Sequence, residues 1–169
     1  MNTNYQLIKT EEQLRKAVES LSAHQAIGLD TETTELDPYV GRMRLIQLAT
    51  PSGVYIVDLD AFGDRSNGNL RDSNALAPLR ELLAAHRPVK IAHNAKFDAK
   101  FIKHTLGADL GGVFDTLLAS QLTGSRFDFT SACGNGNRAA TTVSTRAARV
   151  WEPPVRFRFC ILLPFGRIM

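Results

Sequence analysis

Residues 26–33 read Ala26-Ile27-Gly28-Leu29-Asp30-Thr31-Glu32-Thr33. Four apolar residues run directly into two acids, the pattern of a short buried strand with a functional end. The spacing predicts a strand over Ala26–Leu29, with Asp30 and Glu32 at its exit. Positions i and i+2 of an extended chain point to the same side, so the two carboxylates converge. Anions placed this way repel each other and lose hydration unless a cation joins them. Hard oxygen ligands at such spacing suit magnesium or manganese. An Asp-x-Glu string is common, however, and alone it equally describes a solvated strand end with incidental acids.

The sequence on either side supplies the rest of a sheet. Thr10 with Gln13 has the form of a capping box, opening a helix in which Leu14, Ala17, Val18 and Leu21 recur at helical spacing. Arg42–Ala49 and Gly53–Leu59 read as strands joined by a Pro51-Ser52-Gly53 turn, and 63–73 as an exposed loop. Asn74 is positioned to cap a helix whose apolar face holds Leu76, Leu79, Leu82 and Leu83. Pro88–Ala92 reads as a strand, Ala95–Leu106 as a helix stopped by Gly107, and Val113-Phe114 as a short strand. Asp115 then caps a final helix to about Leu122. Three consecutive strands followed by alternating helices and strands predict an α/β fold, a mixed sheet flanked by helices. The first three strands can meander, and the later ones need crossovers.

A second polar cluster, His93, Asn94 and Asp98, lies within Ala92-His93-Asn94-Ala95-Lys96-Phe97-Asp98. A strand delivers the chain to Asn94, and Asp98 follows about one helical turn later, facing back towards the strand end. Phe97 and Phe101 share a helix face at i, i+4 spacing. Taken alone, this is equally an Asn-capped helix with a surface acid and two core rings. The conjunction tips the reading, since both acid clusters fall past the C-terminal ends of predicted strands, where α/β sheets place ligands.

The 169 residues carry a net charge of +3, distributed unevenly. Residues 124–169 hold seven arginines against Asp128 and Glu152, a net of +5, leaving −2 for the remainder. The basic character therefore belongs to this Arg-rich segment, which lacks helical or strand periodicity and reads as a flexible extension or the product of an altered reading frame. Its arginines could meet phosphates without sequence preference. No apolar run approaches the roughly 18 residues of a membrane span, so no membrane association is expected. Cys133 and Cys160 form no CxxC pair, and the N-terminus has no basic then apolar leader. A reducing cytoplasm is the expected compartment. Asp58 and Asp60 read as strand-ending acids, Arg42 and Arg44 as a solvated face that could otherwise touch phosphate, and His24 and His86 as surface residues.

Leu29-Asp30-Thr31-Glu32-Thr33-Thr34-Glu35-Leu36-Asp37-Pro38, with the later His93–Ile102 stretch, resembles the first two motifs of the DEDD 3′–5′ exonucleases. The nearest flavours are the proofreading domain of bacterial DNA polymerase I and ribonuclease D. The segments 44–50, 54–62 and 114–122 also match, so the resemblance covers about residues 5–123 in five ordered pieces. It implies a ribonuclease H-like fold and a two-metal mechanism with Mg2+ or Mn2+. On that resemblance Asp30 bridges both ions, Glu32 completes one site and Asp98 holds the second ion. Asn94 orients that neighbourhood. Leu36 matches the wedge between the last two bases, and Phe97 an aromatic position near the terminal nucleotide. Thr31 and Thr33 would line the pocket by backbone and methyl contacts. The implied substrates are 3′ ends of single-stranded DNA or RNA, released as nucleoside monophosphates.

The family pattern also has a third motif, an Asp preceded by Tyr at four residues or His at five. Here no Tyr follows Tyr55 and no His follows His104. His104 stands five before Asp109 but comes directly off the second-motif helix, and Asp128 has Gly124 four residues earlier. The expected organisation is an exonuclease domain over 1–123, lacking its last part, and an atypical segment over 124–169. Three readings follow: a working exonuclease, a module that binds 3′ ends without turnover, or a truncated product with exposed apolar surface.

Overall fold

The computed structural model describes residues 5–63 and 70–122. Six strands form one mixed sheet in the order β1-β4-β3-β2-β5-β6. These are β1 Tyr5–Ile8, β2 Ala26–Thr33, β3 Met43–Thr50, β4 Gly53–Asp58, β5 Val89–Ala92 and β6 Val113–Asp115. Four helices flank them: α1 Glu11–Ser22, α2 Ala77–Ala84, α3 Ala95–Leu106 and α4 Thr116–Leu122. β2, β3 and β4 meander antiparallel, as expected. β5 joins β2 in parallel and β6 joins β5 in parallel, each through a helical crossover.

The order puts β2 in the interior of the sheet, and that explains its composition. Ala26 to Leu29 are all buried, because the first half of β2 is covered on both faces and an uninterrupted apolar run is the stable choice. Ile27, Leu29, Ile46, Leu48 and Val57 share one cluster with Leu14 and Leu21 of α1, Leu79 and Leu83 of α2, and Phe101 and Leu106 of α3. The α1 capping box forms as read: Thr10 Oγ1 accepts from the Gln13 amide, and Gln13 Oε1 accepts from the Thr10 amide at 3.2 Å. Gly107 closes α3 at φ 71°, in the left-handed region where a side chain would be strained.

Four expectations are corrected and one strand is added. β2 does not end at Leu29; antiparallel pairing with β3 carries it through Thr33, so Asp30 and Glu32 lie within the strand. β1 was not foreseen, since four residues with only Ile8 buried carry little periodic signal; its register is set by parallel pairing with β4. Asn74 does not cap α2. It opens a 3-10 turn, Asn74–Leu76, and Pro78 in the first turn of α2 needs no amide partner there. Arg42 and Arg44 are not a solvated face. Arg42 pairs with Asp60 at 2.7 Å, and Arg44 reaches both Asp58 and Asp60, neutralising two acids at and just past the end of β4 whose side chains are nearly enclosed. His24 is half-buried, with Nδ1 2.9 Å from the Ser20 carbonyl, whereas His86 is exposed as read. The loop 63–73 is described only at its two ends, and the whole of 124–169 lies outside the described residues.

One buried cation went unnoticed in the sequence. Lys90 of β5 is 0% exposed and its ammonium donates to the Ala85 carbonyl at the end of α2. A cation at a helix C-terminus meets the carbonyls left without amide partners. Burial pulls its pKa down to about 8.

Candidate active site

β2 and α3 build the candidate site. Asp30 and Glu32 lie on one side of β2 and Thr31 on the other, by strand alternation. Across the antiparallel pair Asp30 stands opposite Gln47, whose Nε2 donates to Glu32 Oε1 at 3.1 Å. A bulge between Glu32 and Thr33 then breaks the register. Past it the chain folds into a hydrogen-bonded loop. The Thr34 amide donates to the Arg42 carbonyl, and the Gly41 amide donates to the Asp37 carbonyl at 2.8 Å. Gly41 passes so close to Glu35 that a Cβ there would stand 2.8 Å from the Glu35 amide nitrogen. Leu36 in this loop is 82% exposed. Tyr39 sets its ring edge against His104 of α3 at 5.0 Å, so the loop is tied to the same helix that carries Asp98.

Asp98 sits in the first turn of α3 and is 3% exposed. Thr31 Oγ1 donates to its Oδ1 at 2.7 Å, joining residues 67 apart in sequence. The Thr31 hydroxyl thus has a partner that the backbone and methyl contacts expected of this residue did not include. Burial first, and the nearby Asp30 charge after it, raise the Asp98 carboxyl to about 6 against the opposing Thr31 hydrogen bond. Burial also raises Asp30, and burial together with the Asp30 charge raises Glu32. Asp30 thus couples to both of the other acids. Among the described residues none of the three forms an ion pair with a Lys or Arg.

The remaining expected residues are placed as follows. Phe97 packs on Phe101 with ring centroids 5.1 Å apart, at the helical spacing read from the sequence. Thr33 is half-buried and its hydroxyl donates to the Glu35 carbonyl at 2.8 Å, which steadies the start of the loop. Asn94 does not cap α3 with its side chain. Its backbone is left-handed, φ 59° and ψ 48°, and its amide donates to Asp115 at 3.1 Å. His93 Nδ1 lies 3.0 Å from Thr116 Oγ1, outside the carboxylate group.

The donor chemistry fits a hard divalent cation: three carboxylates that raise one another's charge cost through Asp30, Asp98 buried and Glu32 at the surface, would each be relieved by one. The geometry is less complete. Among the described residues no three of His, Cys, Asp and Glu stand in an arrangement that could hold a metal ion. Asp98 takes its hydrogen bond from Thr31, the β2 residue between Asp30 and Glu32, and also feels the Asp30 charge. Sequence reasoning missed Gln47, which donates to Glu32, and Asp115 and Thr116, which bond to residues 92–95. Of the three, only Asp115 carried a signal, as the capping residue of α4.

The family model described as 3′–5′ exonuclease matches residues 5–133. The ribonuclease D of Desulfotalea psychrophila is 34% identical over 120 residues, covering 70% of this chain and 29% of that protein. The DNA polymerase I of Aquifex aeolicus is 32% identical over 121 residues, covering 72% of this chain and 18% of its own length. This chain therefore spans less than a third of either relative. Among solved structures, the catalytic core of RRP6 from Trypanosoma brucei matches with a TM-score of 0.60 at 25% identity, over 78% of this chain and 34% of that one. The Trypanosoma brucei RNase D in complex with RNA U12 shares the fold, with a TM-score of 0.58 at 23% identity over 70% and 39%.

Proposed function

This chain belongs to the 3′–5′ exonuclease family, and we propose that Asp30, Glu32 and Asp98 are the metal carboxylates with which it trims nucleic-acid 3′ ends. Enzymes of the DEDD class generally use divalent metals. The reading rests on one observation above the others: Thr31 holds Asp98 of α3 beside the strand that carries Asp30 and Glu32. Asp30 in turn raises the carboxyls of both Glu32 and Asp98, which supports reading the three as one group.

In this reading Asp30 would contact two ions, Mg2+ or Mn2+, with Glu32 completing one site and Asp98 the other. When bound, the ions supply an activated water and stabilise the leaving 3′ oxygen. The chain's own groups do the positioning. The Thr31 hydroxyl keeps Asp98 from turning away, and Gln47 restrains Glu32. Leu36, exposed on a loop braced by Gly41 and Tyr39, separates the last two bases. Phe97, backed by Phe101, lies under the terminal nucleotide, and stacking of this kind tolerates any base. Thr33 and Asn94 shape the pocket through the turns they hold. The substrate is the 3′ end of single-stranded RNA or DNA, the product a nucleoside monophosphate, and the setting the cytoplasm. We assign the unit to residues 1–123 with 124–169 as a separate Arg-rich segment; the family match continues ten residues into that segment, to residue 133.

A second reading has its own observation behind it. With no Tyr after position 55 and no His after 104, the water-orienting group of the third motif has no counterpart within these 169 residues. The chain would then hold 3′ ends without cleaving them. Incubating the full chain with 5′-labelled single-stranded RNA and DNA, in Mg2+, Mn2+ or EDTA and beside Asp30→Ala, separates the two. A ladder shortening from the 3′ end, lost in EDTA and in the variant, supports the exonuclease. Retention of 3′-ended strands without a ladder supports the binding module. An aggregate that neither cleaves nor binds would leave the truncated product.

A further inference from the structure

Asp115, the last residue of β6, serves two helices at once. Its Oδ2 accepts from the Ala95 amide at 2.9 Å, and its Oδ1 accepts from the Asn94 amide at 3.1 Å. The same Oδ1 accepts from Leu117 at 2.8 Å and, at longer range, from Leu118 at 3.4 Å. The first amides of a helix have no partners of their own, and a carboxylate placed there also meets the positive end of the helix dipole. One side chain therefore caps α4, which follows it directly, and α3, which starts 20 residues earlier.

α3 needs this outside cap because Asn94 cannot provide one. Asn94 sits in the left-handed region and its side chain makes no capping bond. A non-glycine residue persists in that conformation only where its surroundings hold it. Here the hold is local and complete. Asp115 takes the amides of Asn94 and Ala95. Next to it, the Thr116 hydroxyl donates to the Ala92 carbonyl at 3.2 Å and meets His93 Nδ1. Residues 92–95, the whole passage from β5 into α3, are gripped by the two residues at the β6–α4 junction. Asp98 lies three residues beyond Ala95 in the first turn of that helix. The rotation of this turn decides whether the Asp98 carboxyl meets Thr31.

We propose that Asp115 is a positioning residue for the exonuclease site: by pinning the left-handed Asn94 peptide and the first amides of α3, it sets the Asp98 carboxylate against Thr31. This rests on the function proposed above, yet the positioning itself can be tested without turnover. The full chain and its Asp115→Ala, Asp115→Asn and Thr10→Ala variants are compared by amide resonances and by Mn2+ titration followed by electron paramagnetic resonance. Thr10→Ala removes a helix cap far from the site and controls for lost stability. In Asp115→Ala the Thr31 and Asp98 resonances shift and Mn2+ affinity falls at least tenfold, while Thr10→Ala leaves both unchanged at a comparable loss of melting temperature. Asp115→Asn keeps one acceptor oxygen, so it moves the same resonances less and decides the matter should the alanine variant not fold. Unmoved Thr31 and Asp98 resonances in a folded Asp115 variant overturn the proposal. A wild-type chain that takes up no Mn2+ overturns the metal reading instead, and the resonances still decide the role of Asp115.

Discussion

Asp98 combines deep burial, a single hydroxyl donor and a like charge nearby, and these set its chemistry before any ligand arrives. A carboxyl raised to about 6 in the folded chain and close to 3.8 in the unfolded one binds its proton more tightly when folded. The stability it contributes is fully present below about pH 4 and is lost as pH rises through 6. By the linkage between pKa and free energy, the loss amounts to roughly 3 kcal/mol. Asp98→Asn keeps an acceptor for Thr31 and removes the charge. In EDTA the variant therefore melts higher than wild type at pH 8 and about equally at pH 4. A variant that melts lower at pH 8 would show that the carboxylate is already compensated. Divalent cations should work in the opposite direction, raising the wild-type melting temperature at pH 8 and not that of Asp98→Asn.

At the scale of elements, β3 and the end of β4 are joined by charge as well as by their ladder. Arg44 spans Asp58 and Asp60, both nearly enclosed, and Arg42 takes the other oxygen of Asp60. Exposed pairs contribute little, but removing one partner of an enclosed pair strands a charge and costs about 3 kcal/mol. Arg44→Ala should cost nearly that much, measured by urea unfolding at pH 7.5. A loss under about 1 kcal/mol would mean that Arg42 and Lys9, 3.8 Å from Asp58, suffice. The helices depend on a different device. α1 carries its own cap in sequence, whereas α3 takes its cap from Asp115 across the sheet. For that reason α1 was legible from Thr10 and Gln13, and the true cap of α3 was not.

For the whole molecule, the strand order grades stability from the middle outward. β2 and β3 have neighbours on both sides and fully buried side chains, while β1 and β6 lie at the edges. Val113, Phe114, Leu118 and Leu122 of β6 and α4 are exposed. Local opening needs the least free energy where few apolar contacts must break. Native-state hydrogen exchange should therefore be slowest at Ile27–Leu29 and Ile46–Leu48 and fastest in β1 and β6. Equal protection of β6 and β2 would refute this gradient. The parallel edge β1–β4 also closes the longest-range pairing within the first half of the chain, and a four-residue strand with one buried side chain gave no periodic cue for it.

What the sequence determined by itself was everything fixed by local periodicity and local polar partners. Apolar spacing marked α1, α2 and α3, turn residues separated the meander, and Gly107 ended α3. The runs around Asp30 and Asp98 were specific enough to identify the family. Only the tertiary structure decided the rest, because it depends on groups far apart in the chain. Pairing with β3 extended β2 through Glu32, and burial with the Asp30 charge nearby raised the Asp98 carboxyl. Paired acids turned Arg42 and Arg44 from surface residues into structural ones. The carboxylate of Asp115, silent in the sequence beyond its own helix, became the cap that α3 could not make from its own residues.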